Sequence, residues 1–186
     1  MTATNDTVLA RDDGIYLRHP TQADCREYLE LRRDSEAFHQ PWEPDPPAGA
    51  DLYSPAAYAL FLAGHGKPAR RERLFVCREK DDRILGLVNI SEMVGGCFQS
   101  AYLGYWVGAA HANQRVMRRA LPLVVRHAFE SLGLHRLEAN IRPENEPSIR
   151  LVRGAGFRRE GYSPRYLKVA GEWCDHERWA VIADEV

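Results

Sequence analysis

Apolar and polar positions along the chain fall into a succession of short periodic blocks. The apolar residues Ile15, Tyr16 and Leu17 open a block that predicts a strand over residues 15–19. Thr21 and Asp24 then show the T-x-x-D spacing of a helix start, and Tyr28, Leu29 and Leu31 give that helix an apolar face through about Arg33. A second helix is expected over 55–65. Residues 74–78 and 84–90 are β-branched, apolar runs separated by Asp81-Asp82, which predicts an antiparallel hairpin. Gly95-Gly96 makes a turn before a further strand over 101–107.

Beyond it the period changes. Met117, Ala120, Leu121, Val124 and Ala128 recur at helical spacing and predict an amphipathic helix over 116–131, ended by Gly133. Pro122 conflicts with that helix and should remove a hydrogen bond and kink it. A strand over 137–141, a short helix over 146–153 stopped by Gly154 and Gly156, and a strand pair over 162–169 and 172–182 complete the pattern. Residues 1–13 read as a frayed tail. The order is β-α-α-β-β-β-α-β-α-β-β, an α+β arrangement in one domain. Its strand–helix–strand crossover at 101–141 should be right-handed, with parallel strands.

Composition narrows the picture by exclusion. The 186 residues are 45% hydrophobic and 27% charged, with a formal net charge of −1, so no basic surface points to direct nucleic-acid binding. Cys25, Cys77, Cys97 and Cys174 are far apart, which argues against a metal site and suits a reducing cytoplasm. No run approaches the roughly 20 apolar residues that cross a bilayer, and the acidic N-terminus lacks a signal core. A cytoplasmic protein without membrane contact is the expectation; a homodimer stays open.

Candidate chemistry concentrates between Tyr102 and Ser148. The loop before the helix at 116 leads into a first turn carrying Arg115, Arg118 and Arg119, where the helix dipole disfavours cations. A docked anion such as a pyrophosphate would account for them, and a solvated basic helix start is the plainer reading. Asn145 is a good N-cap for the next helix, with Pro147 in its first turn. The segment Pro41-Trp42-Glu43-Pro44-Asp45-Pro46-Pro47 is incompatible with a helix interior, so it reads as an ordered loop presenting one aromatic and two acids.

The run LGYWV…VMRRAL…LHRLEANIRPENEPSIRLVRGAGFRREGY resembles the RimJ/RimL-type ribosomal-protein N-acetyltransferases of the GNAT superfamily, as do IYLRHPTQAD and PWEPDPP. The resemblance runs from about Ile15 to Ile182. It implies a GNAT fold: a central mixed, mostly antiparallel twisted sheet, splayed into a V, with helices on both faces. It implies acetyl-CoA as co-substrate, no metal, and acetyl transfer by direct attack to a protein or peptide N-terminus, such as that of a ribosomal protein. By the same resemblance Ala112, Asn113, Gln114, Arg115, Val116, Met117 and Arg118 hold the pyrophosphate. The backbone near Trp106 and Val107 pairs with the pantetheine arm and presents an oxyanion donor, an effect of about 3–4 kcal/mol in acyl transfer. Asn145 contacts the arm, and Ser148 assists thiolate departure as general acid. On grounds of charge, Trp42, Glu43 and Asp45 are candidates for the acceptor side, where acids would attract a cationic N-terminus, with Tyr166, Trp173 and His176 on the same side; a rigid Pro-rich loop with Trp42 packed into the core is the plainer reading. The family's loop carries small residues where this chain has Arg115 and Met117; a Cβ at 115 is compatible with helical angles, so binding is expected to survive.

No base is assigned. A free α-amine with a pKa of roughly 7.7–8.0 is already partly neutral, and Glu92 and the Asp175-His176 pair are the candidates. Two other readings stay open: acetylation of a small amine or antibiotic, and a non-catalytic acyl-CoA-binding module.

Overall fold

The computed structural model describes residues 8–44, 46–47, 49–64 and 70–185. Asp45 lies outside the described residues.

Eight strands form one sheet in the order β1-β2-β3-β4-β5-β6-β8-β7. They are β1 (Val8–Asp12), β2 (Ile15–Arg18), β3 (Arg71–Arg78), β4 (Ile84–Val94), β5 (Ser100–Val107), β6 (Arg136–Ile141), β7 (Arg158–Val169) and β8 (Glu172–Ile182). All neighbouring pairs are antiparallel except β5 and β6, which are parallel as the crossover requires. The helices are α1 (Cys25–Asp34), α2 (Glu36–His39), α3 (Pro55–Ala63), α4 (Val116–Glu130) and α5 (Glu146–Gly154).

The tail expected at residues 1–13 is corrected for its second half. Val8–Asp12 pairs with β2, and Gly14 at φ 79° makes the tight turn between them. The strand was hidden in the sequence because it sits at the sheet edge, where Leu9 remains exposed and no apolar alternation is needed. α2 was also unforeseen, and β3, β4 and β7 run longer than their apolar runs suggest.

Two cores lie on opposite faces. On one, Val76, Val88, Ile90, Leu103, Leu137, Ala139, Trp179 and Val181 pack beneath α4 and α5, which contribute Leu121, Val124 and Val152. On the other, Tyr16, Phe75, Ile84 and Leu87 meet Tyr28 and Tyr58 from α1 and α3. Ser54 caps α3 by accepting from the Ala57 N–H. At the α1 entrance, Asp24 accepts from the Thr21 N–H and hydroxyl and takes two Arg18 contacts at 2.6 and 2.8 Å. α4 runs unbroken through Pro122. Pro122 is exposed and the carbonyl it leaves without a helical donor belongs to exposed Arg118, on the solvent side of the helix where an unmade hydrogen bond costs least.

Candidate active site

The sheet opens between β5 and β6. Only Ser100, Ala101 and Tyr102 pair with Arg136, Leu137 and Glu138; past that last rung β5 continues to Val107 along β4, and β6 continues to Ile141 along β8. The two strands diverge because each follows its other neighbour, and backbone groups along the gap have no strand partner. Which groups these are follows from the antiparallel alternation. Gly108 N–H donates to the Leu85 carbonyl, so the backbone groups of Trp106 also point at β4, whereas those of Tyr105 and Val107, beyond the last rung to β6, point into the gap. The expectation for Trp106 and Val107 is thereby divided. Val107 faces the gap with its backbone; Trp106 contributes a ring on the α1 face, 5.2 Å from His39 and 5.1 Å beneath the Arg32 guanidinium.

Gly86 makes this geometry possible. A Cβ there would lie 2.4 Å from the Trp106 carbonyl oxygen and 2.6 Å from Met117 Cε. The Met117 side chain is thus buried against the strand, and that of Val116 is buried with it.

At the same end of the sheet, α4 begins without a side-chain cap and without an acid in its first turn. The first intrahelical bond in that turn runs from Arg119 N–H to the Arg115 carbonyl, so the preceding amides, Val116 to Arg118, are open to an anion. Asn113 and Arg115 sit at φ 61° and 59°, in the left-handed region. Helical angles at 115 were expected; the backbone instead adopts the conformation that glycine favours, which explains why a small residue is the family pattern there. Asn113, Gln114, Arg115 and Arg118 are exposed, and Ala112 is half-buried in an extended conformation. Gln114 donates to the Ala110 carbonyl at 2.8 Å. Arg119 turns away to the β1–β2 turn, where it meets the Asp13 carbonyl at 2.5 Å.

Across the gap, α5 starts at Asn145, whose side-chain oxygen accepts from Ser148 N–H at 3.2 Å. Ser148 Oγ lies 2.5 Å from the hydroxyl of Tyr105, which the sequence marks only as a strand residue. Burial pushes the Tyr105 phenol up to about 12, with the Ser148 contact pulling slightly the other way.

The described residues expected on the acceptor side lie on the opposite face. Trp42 is partly exposed and stacks with Arg142 at 5.7 Å, and Arg142 also donates to the Pro41 carbonyl. Pro44 bridges to Val169, which docks this loop on β7. The Glu43 carboxylate is held by both Arg32 nitrogens at 2.7 and 2.8 Å, so its charge is locally compensated rather than free to attract a cation. Tyr166 and His176 face each other at 5.3 Å. His176 is buried, its Nδ1 contacts the Cys174 carbonyl at 3.0 Å, and burial lowers its pKa. Trp173 is exposed at the hairpin tip. Of the base candidates, Asp175 is spent on structure, accepting from Tyr162 hydroxyl at 2.5 Å and Arg165 N–H at 2.7 Å to pin a bulge. Glu92 is exposed, 3.8 Å from Arg71, and lines a surface pocket with Arg70 and Gly95.

Among the described residues there is no group of three or more His, Cys, Asp or Glu arranged to hold a metal, and no helix is long and apolar enough to cross a membrane. The chain is similar to the RimJ of Mycobacterium smegmatis solved with CoA-disulfide, at 30% identity over 92% of this chain and 83% of that one, with a TM-score of 0.86. It is 28% identical over 165 residues to the [ribosomal protein uS5]-alanine N-acetyltransferase of Escherichia coli, covering 88% of this chain and 85% of that protein. A probable N-acetyltransferase of Bacillus subtilis, YjcK, is 29% identical over 90% of this chain and 93% of its own length. The family model for the acetyltransferase (GNAT) domain matches residues 15–158, and with the opened sheet and uncapped α4 it establishes that this chain belongs to the GNAT acetyltransferases.

Proposed function

We propose that this enzyme, an acetyl-CoA-dependent N-acetyltransferase, acts on the N-terminal α-amine of a protein, with ribosomal proteins as the substrate class. The observation that carries the reading is the juxtaposition of three features along one groove: the unpaired edge of β5, the open first turn of α4, and Ser148 facing Tyr105 across the gap. The acceptor class draws support from the substrate, ribosomal protein uS5, in the name of the Escherichia coli relative.

In this reading the coenzyme diphosphate rests on the amides of Val116, Met117 and Arg118, with Arg115 and Arg118 as exposed counter-charges. Ala112, Asn113 and Gln114 shape the loop around it, and Asn145 contacts the pantetheine arm through its amide nitrogen. The arm lies along β5, and a main-chain N–H of the gap-facing set, Val107 among them, donates to the thioester oxygen as negative charge develops. The amine enters from the face bearing Trp42, Tyr166 and His176. Its nitrogen attacks the thioester carbon, the C–S bond breaks with its electron pair on sulfur, and the Ser148 hydroxyl hydrogen-bonds that sulfur. The surplus amine proton passes to solvent; no covalent acyl-enzyme forms.

Mass spectrometry of candidate protein N-termini after incubation with isotopically labelled acetyl-CoA tests the reading. The expected product is a single labelled acetyl group on an α-amine. Labelling confined to lysine side chains, or to small polyamines, would refute the acceptor assignment.

A further inference from the structure

Tyr105 belongs to no part of the site that the sequence suggested, yet its hydroxyl makes the shortest contact that Ser148 has. Strand alternation places the Tyr105 side chain on the α4–α5 face, between Leu103 and Val107, and there it meets the first turn of α5. Two acceptors are in reach of the phenol: Ser148 Oγ at 2.5 Å and the Ser148 carbonyl at 3.4 Å, a distance at which a hydrogen bond is weak. Ser148 in turn is fixed through its backbone, because its N–H is bound by the Asn145 side chain.

A serine hydroxyl carries one proton, and near a helix start it tends to spend that proton on local backbone or on the capping side chain. We propose that Tyr105 is a positioning residue for Ser148: by donating to Oγ it fills the inward lone pair and turns the serine proton outward, into the groove. The raised phenol pKa supports this, since the tyrosine then remains a donor throughout the working pH range. No proton leaves the pair in the reaction. The pair supplies one oriented O–H to the sulfur as the C–S bond breaks, and the same O–H is withdrawn from that task when the phenol is absent. The inference rests on the reading of Ser148 given above.

The test is a double-mutant cycle of Tyr105→Phe and Ser148→Ala in the full chain, using a synthetic peptide with an N-terminal alanine as acceptor. Thiol release gives kcat and KM, calorimetry gives acetyl-CoA affinity, and thermal unfolding confirms that each variant is folded. Tyr105→Phe should lower kcat about tenfold, the worth of one neutral hydrogen bond, while acetyl-CoA affinity stays within about twofold of the wild type. In the Ser148→Ala background the same substitution should have no further effect. An unchanged or higher kcat for Tyr105→Phe would show that the serine proton is spent on the tyrosine, and would overturn the inference while leaving Ser148 in place. Additive losses would overturn it too, by giving Tyr105 a separate role. A silent Ser148→Ala would remove Ser148 from the mechanism and the inference with it. If the wild type acetylates spermidine and not the peptide, the cycle is read on spermidine and only the acceptor assignment falls; turnover on neither overturns both.

Discussion

The His39 imidazole donates from Nε2 to the Val107 carbonyl oxygen at 2.8 Å, across 68 positions of sequence. Its Nδ1 lies 3.0 Å from Arg32, and Arg32 holds Glu43. A chain of polar contacts thus runs from Glu43 to the gap-facing end of β5. The geometry demands a neutral ring, with its proton on Nε2 and Nδ1 accepting from the guanidinium.

That demand has a pH signature. Burial is the main cause lowering the His39 pKa below its ordinary value, with Arg32 acting in the same direction and Val107 and Glu43 opposing. The unfolded ring takes up a proton near pH 6.5 while the folded one resists, so the unfolded state binds more protons as the pH drops. Stability contributed by neutral His39 is complete above about pH 6.5 and is lost as the pH falls toward the lower folded value. Urea midpoints measured from pH 7.5 to 5 should decline, and His39→Gln should flatten part of that decline.

Ser148→Ala should reduce turnover on the order of 10²-fold. Acetyl-CoA binding by calorimetry should be nearly unaffected, because the hydroxyl engages the sulfur most strongly as charge builds on it. Weakened binding with unchanged turnover would contradict this assignment.

Arg115 holds a left-handed backbone that costs an L-residue about 1–2 kcal/mol. Glycine removes the strain but gives the unfolded chain more freedom, worth roughly 0.4–1 kcal/mol in the opposite sense. Arg115→Gly should therefore leave the denaturation midpoint unchanged or slightly raised. Coenzyme affinity should fall with a reduced dependence on salt, since one exposed cation is gone.

Gly86→Ala should destabilise by about 1–3 kcal/mol, as overpacking does. The added methyl meets the Trp106 carbonyl and Met117 together, so relief of the clash must move β5 or α4. Denaturant titration reads the first effect, and a lower kcat accompanying it reads the displacement of the gap.

The elements that carry the groove were legible because each is periodic over its own length. α4 announces itself through Met117, Ala120, Leu121, Val124 and Ala128, all buried as their spacing requires, with Met117 packed against Gly86. The Asn145 cap of α5 was legible from residue type and spacing, while the role proposed for Ser148 comes from a motif. Tyr105 and His39 were not, because their partners lie 43 and 68 positions away and nothing local marks a tyrosine on a strand as different from a core residue. The Arg115 backbone escaped for a related reason: arginine gives no sign of φ above zero, whereas glycine would have. Glu43 looked like a free acid until its position opposite Arg32 was known.

The three-rung join between β5 and β6 makes a crease down the molecule. On one side lies a leaf of five strands, on the other a leaf of three with α5, and beyond Tyr102 the main chains of the two no longer hold each other. Such a seam is where backbone amides should exchange soonest with deuterated solvent. Anything that touches both leaves at once acts as a clasp: it stiffens the hinge line and raises the melting temperature in proportion to how tightly it is held.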